Sequence, residues 1–186
     1  MTPEAAPPVP IPAPVSRATW KLRALSLAWA AGGSVLGILG AVTQEIRQAS
    51  LLVPFVAAPM IEEVMKPAGV YVLLVKWPQA LTSRLYTALL SALSGLCFGL
   101  VENVVYLQVY FPNHTPALTL FRYTACLALH TITSFIVGFG INPRLLASVR
   151  GEIPLLQGNW KFFVIPMVLH SAFNIAAIPL GRALGP

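Results

Sequence analysis

The stretch Leu51-Leu52-Val53-Pro54-Phe55-Val56-Ala57-Ala58-Pro59-Met60-Ile61-Glu62-Glu63-Val64-Met65-Lys66-Pro67 sets two adjacent carboxylates and a lysine inside an apolar run that continues to Val75. An ionisable group at membrane depth costs roughly 2.5–3.5 kcal/mol even on the lenient insertion scale, so such groups are kept for function. Three more costly groups, Glu102, His130 and His170, recur in three later apolar segments. The pattern is that of a polar site assembled within a membrane.

Working outward from this stretch, the chain of 186 residues is 56% hydrophobic and 10% charged. Soluble domains carry about 25% charged residues. Five stretches, roughly 22–44, 50–75, 85–111, 117–141 and 160–181, reach the length of about 20 residues that a membrane helix needs. The expected fold is an all-α, polytopic membrane helix bundle of about five spans with a proline-interrupted second span. Pro54, Pro59 and Pro67 crowd that span, and proline removes a backbone donor and kinks or breaks a helix. The second span is therefore expected to bend or break where Glu62 and Glu63 sit, with water reaching them, since irregular backbone at depth needs protein or a water-filled cavity around it.

Residues 1–16 are dominated by Pro and Ala and read as a disordered tail. Residues 17–186 read as a single transmembrane domain. Arg144 to Arg150 reads as a short interfacial helix between the fourth and fifth spans.

The net charge of +6 is explained by basic loops and requires no nucleic-acid partner. Eight basic residues (Arg17, Lys21, Arg23, Lys76, Arg84, Arg144, Arg150 and Lys161) gather on one side, against three (Arg47, Arg122 and Arg182) on the other. The positive-inside bias then predicts a cytoplasmic N-terminus and an external C-terminus. Counted from the external ends of their spans, Glu62 lies about 12 residues in, Glu102 about 9, His130 about 13 and His170 about 11. At 1.5 Å per residue these groups share one layer roughly 14–20 Å below the external surface.

Glu62 and Lys66 are spaced i,i+4 and Glu63 and Lys66 i,i+3, so Lys66 reaches either carboxylate on a helical turn. One carboxylate can then be paired while the other serves as a general base. Asn174 follows His170 at i+4 on the same helix face and could supply an oxyanion donor. Gly95 and Gly99 would allow a second backbone or a substrate to approach closely. Glu102 and Asn103 are about 100° apart on a helix and face different sides. Cys97 and Cys126 read as small buried hydrophobes, and His114, in a loop, is assigned no role.

Absences exclude several chemistries. The chain has no aspartate, so an intramembrane aspartyl protease is ruled out, and no His-Glu-x-x-His, which removes the site-2 zinc protease pattern. Ser94-Gly95 approaches the Gly-x-Ser-Gly of rhomboid proteases, but the leading glycine is missing and the glutamate pair would be idle. Intramembrane Glu, His and Lys on broken helices also describe a proton- or ion-coupled carrier, yet the chain has no internal repeat. A non-catalytic membrane partner with the same fold is the third class.

Taken together, Glu62-Glu63-x-x-Lys66, Phe98-x-x-x-Glu102-Asn103, His130 and His170-x-x-x-Asn174 resemble the PrsW family of bacterial intramembrane proteases, a branch of the superfamily of CAAX prenyl proteases and bacteriocin-processing enzymes. CAAX-type enzymes typically show Glu-Glu-x-x-x-Arg and Phe-x-x-x-His; here Lys66 comes one position earlier and Glu102 replaces that histidine, which favours the PrsW branch. The resemblance implies a bacterial, multi-pass cell-membrane protein that hydrolyses a peptide bond in a membrane-associated substrate. It also implies that one glutamate of the pair activates water, with His130 and His170 orienting it. On this reading Glu62 is the base, Glu63 pairs with Lys66, the histidines hold the water or protonate the leaving amine, and Asn174 helps bind the oxyanion, with Glu102 and Asn103 in support. Glu62, Glu102, His130 and His170 are enough ligands for zinc. No two histidines lie at i,i+4, however, and the sequence favours a metal-free, glutamate-activated water.

Overall fold

The computed structural model describes residues 19–47 and 53–184. The expected tail at 1–16 lies outside the described residues, as do the side chains of Arg47 and Arg182. Helix α1 spans Trp20–Arg47. A π turn at Val53–Ala57 leads into α2, Ala58–Met65, followed by α3, Ala68–Lys76. Helix α4, Arg84–Val105, ends in a second π turn at Tyr106–Tyr110. Helix α5, Pro116–Phe121, runs through a third π turn, Arg122–Cys126, into α6, Leu127–Gly140. The short α7, Pro143–Val149, and the long α8, Lys161–Leu184, complete the chain. No strand occurs among the described residues.

Local chemistry marks the helix starts. Ser83, Thr115 and Asn142 are extended N-cap residues whose side-chain oxygens accept from the backbone N–H groups of Tyr86, Leu118 and Arg144. Pro116 and Pro143 follow directly, where the missing N–H has no helical partner to lose. The Thr115 hydroxyl also donates to the Leu184 carbonyl, tying the start of α5 to the end of α8.

Four stretches among the described residues, Trp20–Gly40, Arg84–Tyr110, Pro116–Gly140 and Lys161–Gly181, are continuous, long and apolar enough to cross a membrane. The segment read as the second span is instead two short helices, broken one turn beyond the glutamates. Pro59 sits within the first two positions of α2, where proline is tolerated. Lys66 N–H still bonds the Glu62 carbonyl at 2.8 Å, and Pro67, lacking an N–H, stops the ladder there. Glu62 and Glu63 thus stand on regular helix, which corrects the expectation of a bend at the pair itself. That regularity is what lets Lys66 fold back on them.

The bundle is apolar outside and small or polar between helices. Leu39, Val104, Val109, Leu120, Ile132, Val168 and Ile175 point outward, an apolar surface far larger than water tolerates. Ser26, Ser34, Ser91, Ser94, Thr133 and Ser134 are buried at helix contacts, as expected where close packing and interhelical hydrogen bonds replace the hydrophobic effect. Ser94 Oγ donates to the Ala30 carbonyl of α1 at 2.5 Å, so this serine is committed to packing and the rhomboid-like alternative fails.

Glycines set two crossings. A Cβ on Gly69 would fall 1.7 Å from the Trp29 carbonyl, so α3 lies directly on α1. A Cβ on Gly95 would lie 2.2 Å from the His130 carbonyl and 2.5 Å from Ser134 Oγ, so α4 and α6 touch backbone to backbone beside His130. Gly95→Ala should gain about 1 kcal/mol of helix propensity and lose about 1–3 kcal/mol to overpacking. A lowered thermal unfolding temperature in detergent is the expected net result, and a raised one would show that the crossing can relax.

Candidate active site

Four elements each deliver one part of a buried polar cluster. Helix α2 carries Glu62 and Glu63, with Lys66 as its C-cap residue, α4 carries Glu102 and Asn103, α6 carries His130, and α8 carries His170 and Asn174. Glu62, Glu63, Lys66, Asn103, His130 and His170 are all buried. The four groups expected at one depth, Glu62, Glu102, His130 and His170, lie close together: His130 bonds Glu102, Glu62 is 3.8 Å from His170, and the two imidazoles adjoin.

The two glutamates of the pair have different surroundings. Glu63 is wholly buried, and its Oε1 receives Lys66 Nζ at 2.7 Å, His170 Nδ1 at 2.7 Å and Thr133 Oγ1 at 3.0 Å. Glu62 stands farther from the ammonium, 3.6 Å from Lys66 Nζ, and 3.8 Å from His170 Nε2. Glu62, not Glu63, lines the adjoining cavity. The lysine is enclosed on its other side by Phe98, whose ring centre lies 4.9 Å from Nζ.

The second histidine has a parallel arrangement. His130 Nε2 bonds Glu102 Oε2 at 2.9 Å, and Arg122 Nη2 reaches the same oxygen at 2.8 Å. Arg122 Nε donates to Asn103 Oδ1 at 2.9 Å, while Asn103 Nδ2 donates back to the Arg122 carbonyl. Adjacent residues Glu102 and Asn103, expected on different sides of α4, therefore grip one guanidinium. The guanidinium also lies 3.9 Å from the centre of the Tyr106 ring. The two imidazoles meet edge to face at 5.2 Å.

The sequence reading counted Arg122 only among the basic residues of the external side, and that is corrected here: it is a member of the cluster. The available signal was a lone arginine within an apolar span, the same kind of costly group that singled out Glu102. Thr133, three residues past His130, was also missed. His114 donates to the Leu107 and Phe111 carbonyls and holds its own loop.

The cavity has a volume of about 460 Å³, within the range of ligand pockets. Phe55, Phe111, Leu118, Phe121 and Phe173 form its apolar wall, while Glu62, Glu102, Arg122, His130, His170 and Asn174 supply its polar side. Phe121 and Phe173 stack in parallel, with centres 6.2 Å apart.

The donor set fits a divalent metal. One ligand atom from each of Glu62, His130 and His170 lies within 4.8 Å of the other two. Each histidine spends one nitrogen on a carboxylate, His170 Nδ1 on Glu63 and His130 Nε2 on Glu102. That is the outer support metal-binding imidazoles regularly have. The nitrogen left over on His130, Nδ1, is buried with no hydrogen-bond partner. Three carboxylates face only two cations, Lys66 and Arg122, which leaves negative charge to be met. Glu102, a ligand candidate from sequence, stands behind His130 instead of beside Glu62.

No curated protein and no solved structure matches the chain. Over residues 18–184 it matches the family described as PrsW family intramembrane metalloprotease. With its apolar helices and buried Glu/His cluster, the chain is a multi-pass membrane peptide hydrolase belonging to the PrsW family of intramembrane proteases.

Proposed function

We propose that the chain cleaves a peptide bond of a membrane-associated protein substrate at Glu62, His130 and His170. The convergence of these three residues on one side of an apolar-walled cavity is the observation that carries this reading. Two imidazole nitrogens and one carboxylate oxygen form the His2Glu donor set of catalytic zinc sites, which leave a fourth position open. This donor set, together with the support behind each histidine, replaces the metal-free preference drawn from sequence. Zinc held there would polarise the scissile carbonyl and lower the pKa of a water molecule.

The residues of the chain do the rest. Glu62, the cavity-facing carboxylate of the pair, would give one oxygen to the ligand set; its other oxygen accepts the proton of the attacking water and returns it to the leaving amine as the C–N bond breaks. Glu63 and Glu102 fix the orientation of His170 and His130. Lys66 offsets the charge of the glutamate pair without entering the cavity. Asn174 donates its amide N–H to the oxyanion that develops on the carbonyl. The wall of Phe55, Phe111, Leu118, Phe121 and Phe173 holds apolar side chains flanking the bond. With Arg122 moved into the site, the basic bias still places the N-terminus in the cytoplasm and the C-terminus outside a bacterial cell membrane. Cleavage then falls in the outer half of a substrate span.

Purified protein is expected to contain one equivalent of zinc. Chelation should abolish cleavage, added zinc should restore it, and a His170→Ala variant should retain no metal. New membrane-protein N-termini in cells expressing wild type, missing with His170→Ala, would identify the substrate. Full cleavage by chelated protein that holds no zinc would return the site to a metal-free mechanism. Identical N-termini in both strains, with both proteins inserted, would defeat the protease reading itself.

A further inference from the structure

The cluster contains two arms of the same construction. In one, Lys66 bonds Glu63, and Glu63 bonds His170 Nδ1, each at 2.7 Å. In the other, Arg122 bonds Glu102 at 2.8 Å, and Glu102 bonds His130 Nε2 at 2.9 Å. Each arm runs from cation to carboxylate to imidazole, and each leaves one ring nitrogen unused by its carboxylate. A carboxylate held ionised by a cation accepts an N–H, which places the proton on that nitrogen and leaves the other bare. Lys66 belongs to the motif read from sequence; Arg122 does not.

We infer that Arg122 is a positioning residue that, through Glu102, holds His130 in the Nε2–H tautomer with Nδ1 bare for a metal ion. The inference rests on the metal reading of the site. The two arms differ in how the cation is fixed. Lys66 caps the same helix that carries its carboxylate, whereas Arg122 comes from the π turn between α5 and α6 and must be placed across a helix contact. Asn103 does this placing, binding both the guanidinium Nε and the Arg122 carbonyl. Tyr106 backs the guanidinium plane from the second π turn. The fork is used at two different atoms, Nε for Asn103 and Nη2 for Glu102, a geometry that a lysine ammonium cannot reproduce.

The test is cobalt(II) binding to the purified full-length protein, followed by its visible absorption spectrum and by competition with a chelator. Arg122→Gln should bind cobalt about 10–100-fold more weakly than wild type, with an altered spectrum. Arg122→Lys should recover part of that loss, and Arg150→Gln, at an exposed position outside the cluster, should bind cobalt with wild-type affinity. Nitrogen-15 spectra of histidine-labelled, metal-free protein in a His114→Gln background give a second readout. His130 should be Nε2–H in wild type and a tautomer mixture in Arg122→Gln. Wild-type affinity and an unmixed tautomer in Arg122→Gln would overturn the proposal. If wild type itself binds no cobalt, the metal reading fails, and the tautomer spectra alone then decide whether Arg122 positions His130. Should Arg122→Gln not fold, Asn103→Ala, which frees Nε and leaves the ion pair, carries the same test with a smaller expected shift.

Discussion

Glu62→Gln should lower the rate of peptide cleavage by about 10²–10⁴-fold, the range a positioned general base contributes. The amide keeps the shape of the side chain but cannot accept the proton of the attacking water, and zinc content measured beside the rate separates this from a weakened ligand. Glu63→Gln is the informative comparison, because Glu63 already bonds Lys66, His170 and Thr133 and lies outside the cavity wall. It should reduce the rate through a misplaced histidine and also lower thermal stability, whereas Glu62→Gln should leave folding nearly unchanged. Rates are read from the appearance of new substrate N-termini, and stability from thermal unfolding in detergent. Normal turnover by Glu62→Gln would refute its assignment, and the reverse pattern would move the base to Glu63.

Lys66→Met should produce the largest loss of stability, about 3–5 kcal/mol, the effect of removing one partner from a buried ion pair. Lys66 is wholly buried, within 2.7 Å of one carboxylate and 3.6 Å of the other. Methionine fills a similar volume against Phe98 but leaves two buried carboxylates without their cation. Adding Glu63→Gln to Lys66→Met should recover part of the loss, because one of the uncompensated charges is then gone. Chemical denaturation in detergent measures both. A loss below about 1 kcal/mol for the single variant would mean that the pair is hydrated and screened in the manner of a surface ion pair.

The helices were legible because the bilayer imposes a length and an apolar composition that a single sequence displays directly. The charged and imidazole groups stood out for the same reason, being costly exceptions in segments such as Leu127-Ala128-Leu129-His130. What sequence could not supply was pairing across helices. Which histidine meets Glu63 depends on how α8 rotates against α2, and nothing local records that rotation. Arg122 was misplaced because an arginine a few residues inside a span resembles an interfacial anchor until a partner such as Glu102 is seen. The break at Pro67 was displaced by one turn because proline near the start of a helix is harmless, and the sequence did not show that α2 begins at Ala58.

The order of the parts along the chain bears on how such a protein is made. Glu62 and His170 are 108 residues apart, roughly 5–20 s of synthesis at the usual elongation rate. Throughout that interval α2 has no histidine from α8 to meet its glutamates, yet its i,i+3 lysine is already present. The helix therefore carries a counter-ion for one carboxylate of its pair into the membrane, and the newborn chain holds a partly neutralised, incomplete centre until α8 arrives. On the proposed assignment of His170, truncated chains ending before α8 lack one of the three converging groups and should cleave nothing, which the appearance of new substrate N-termini would check.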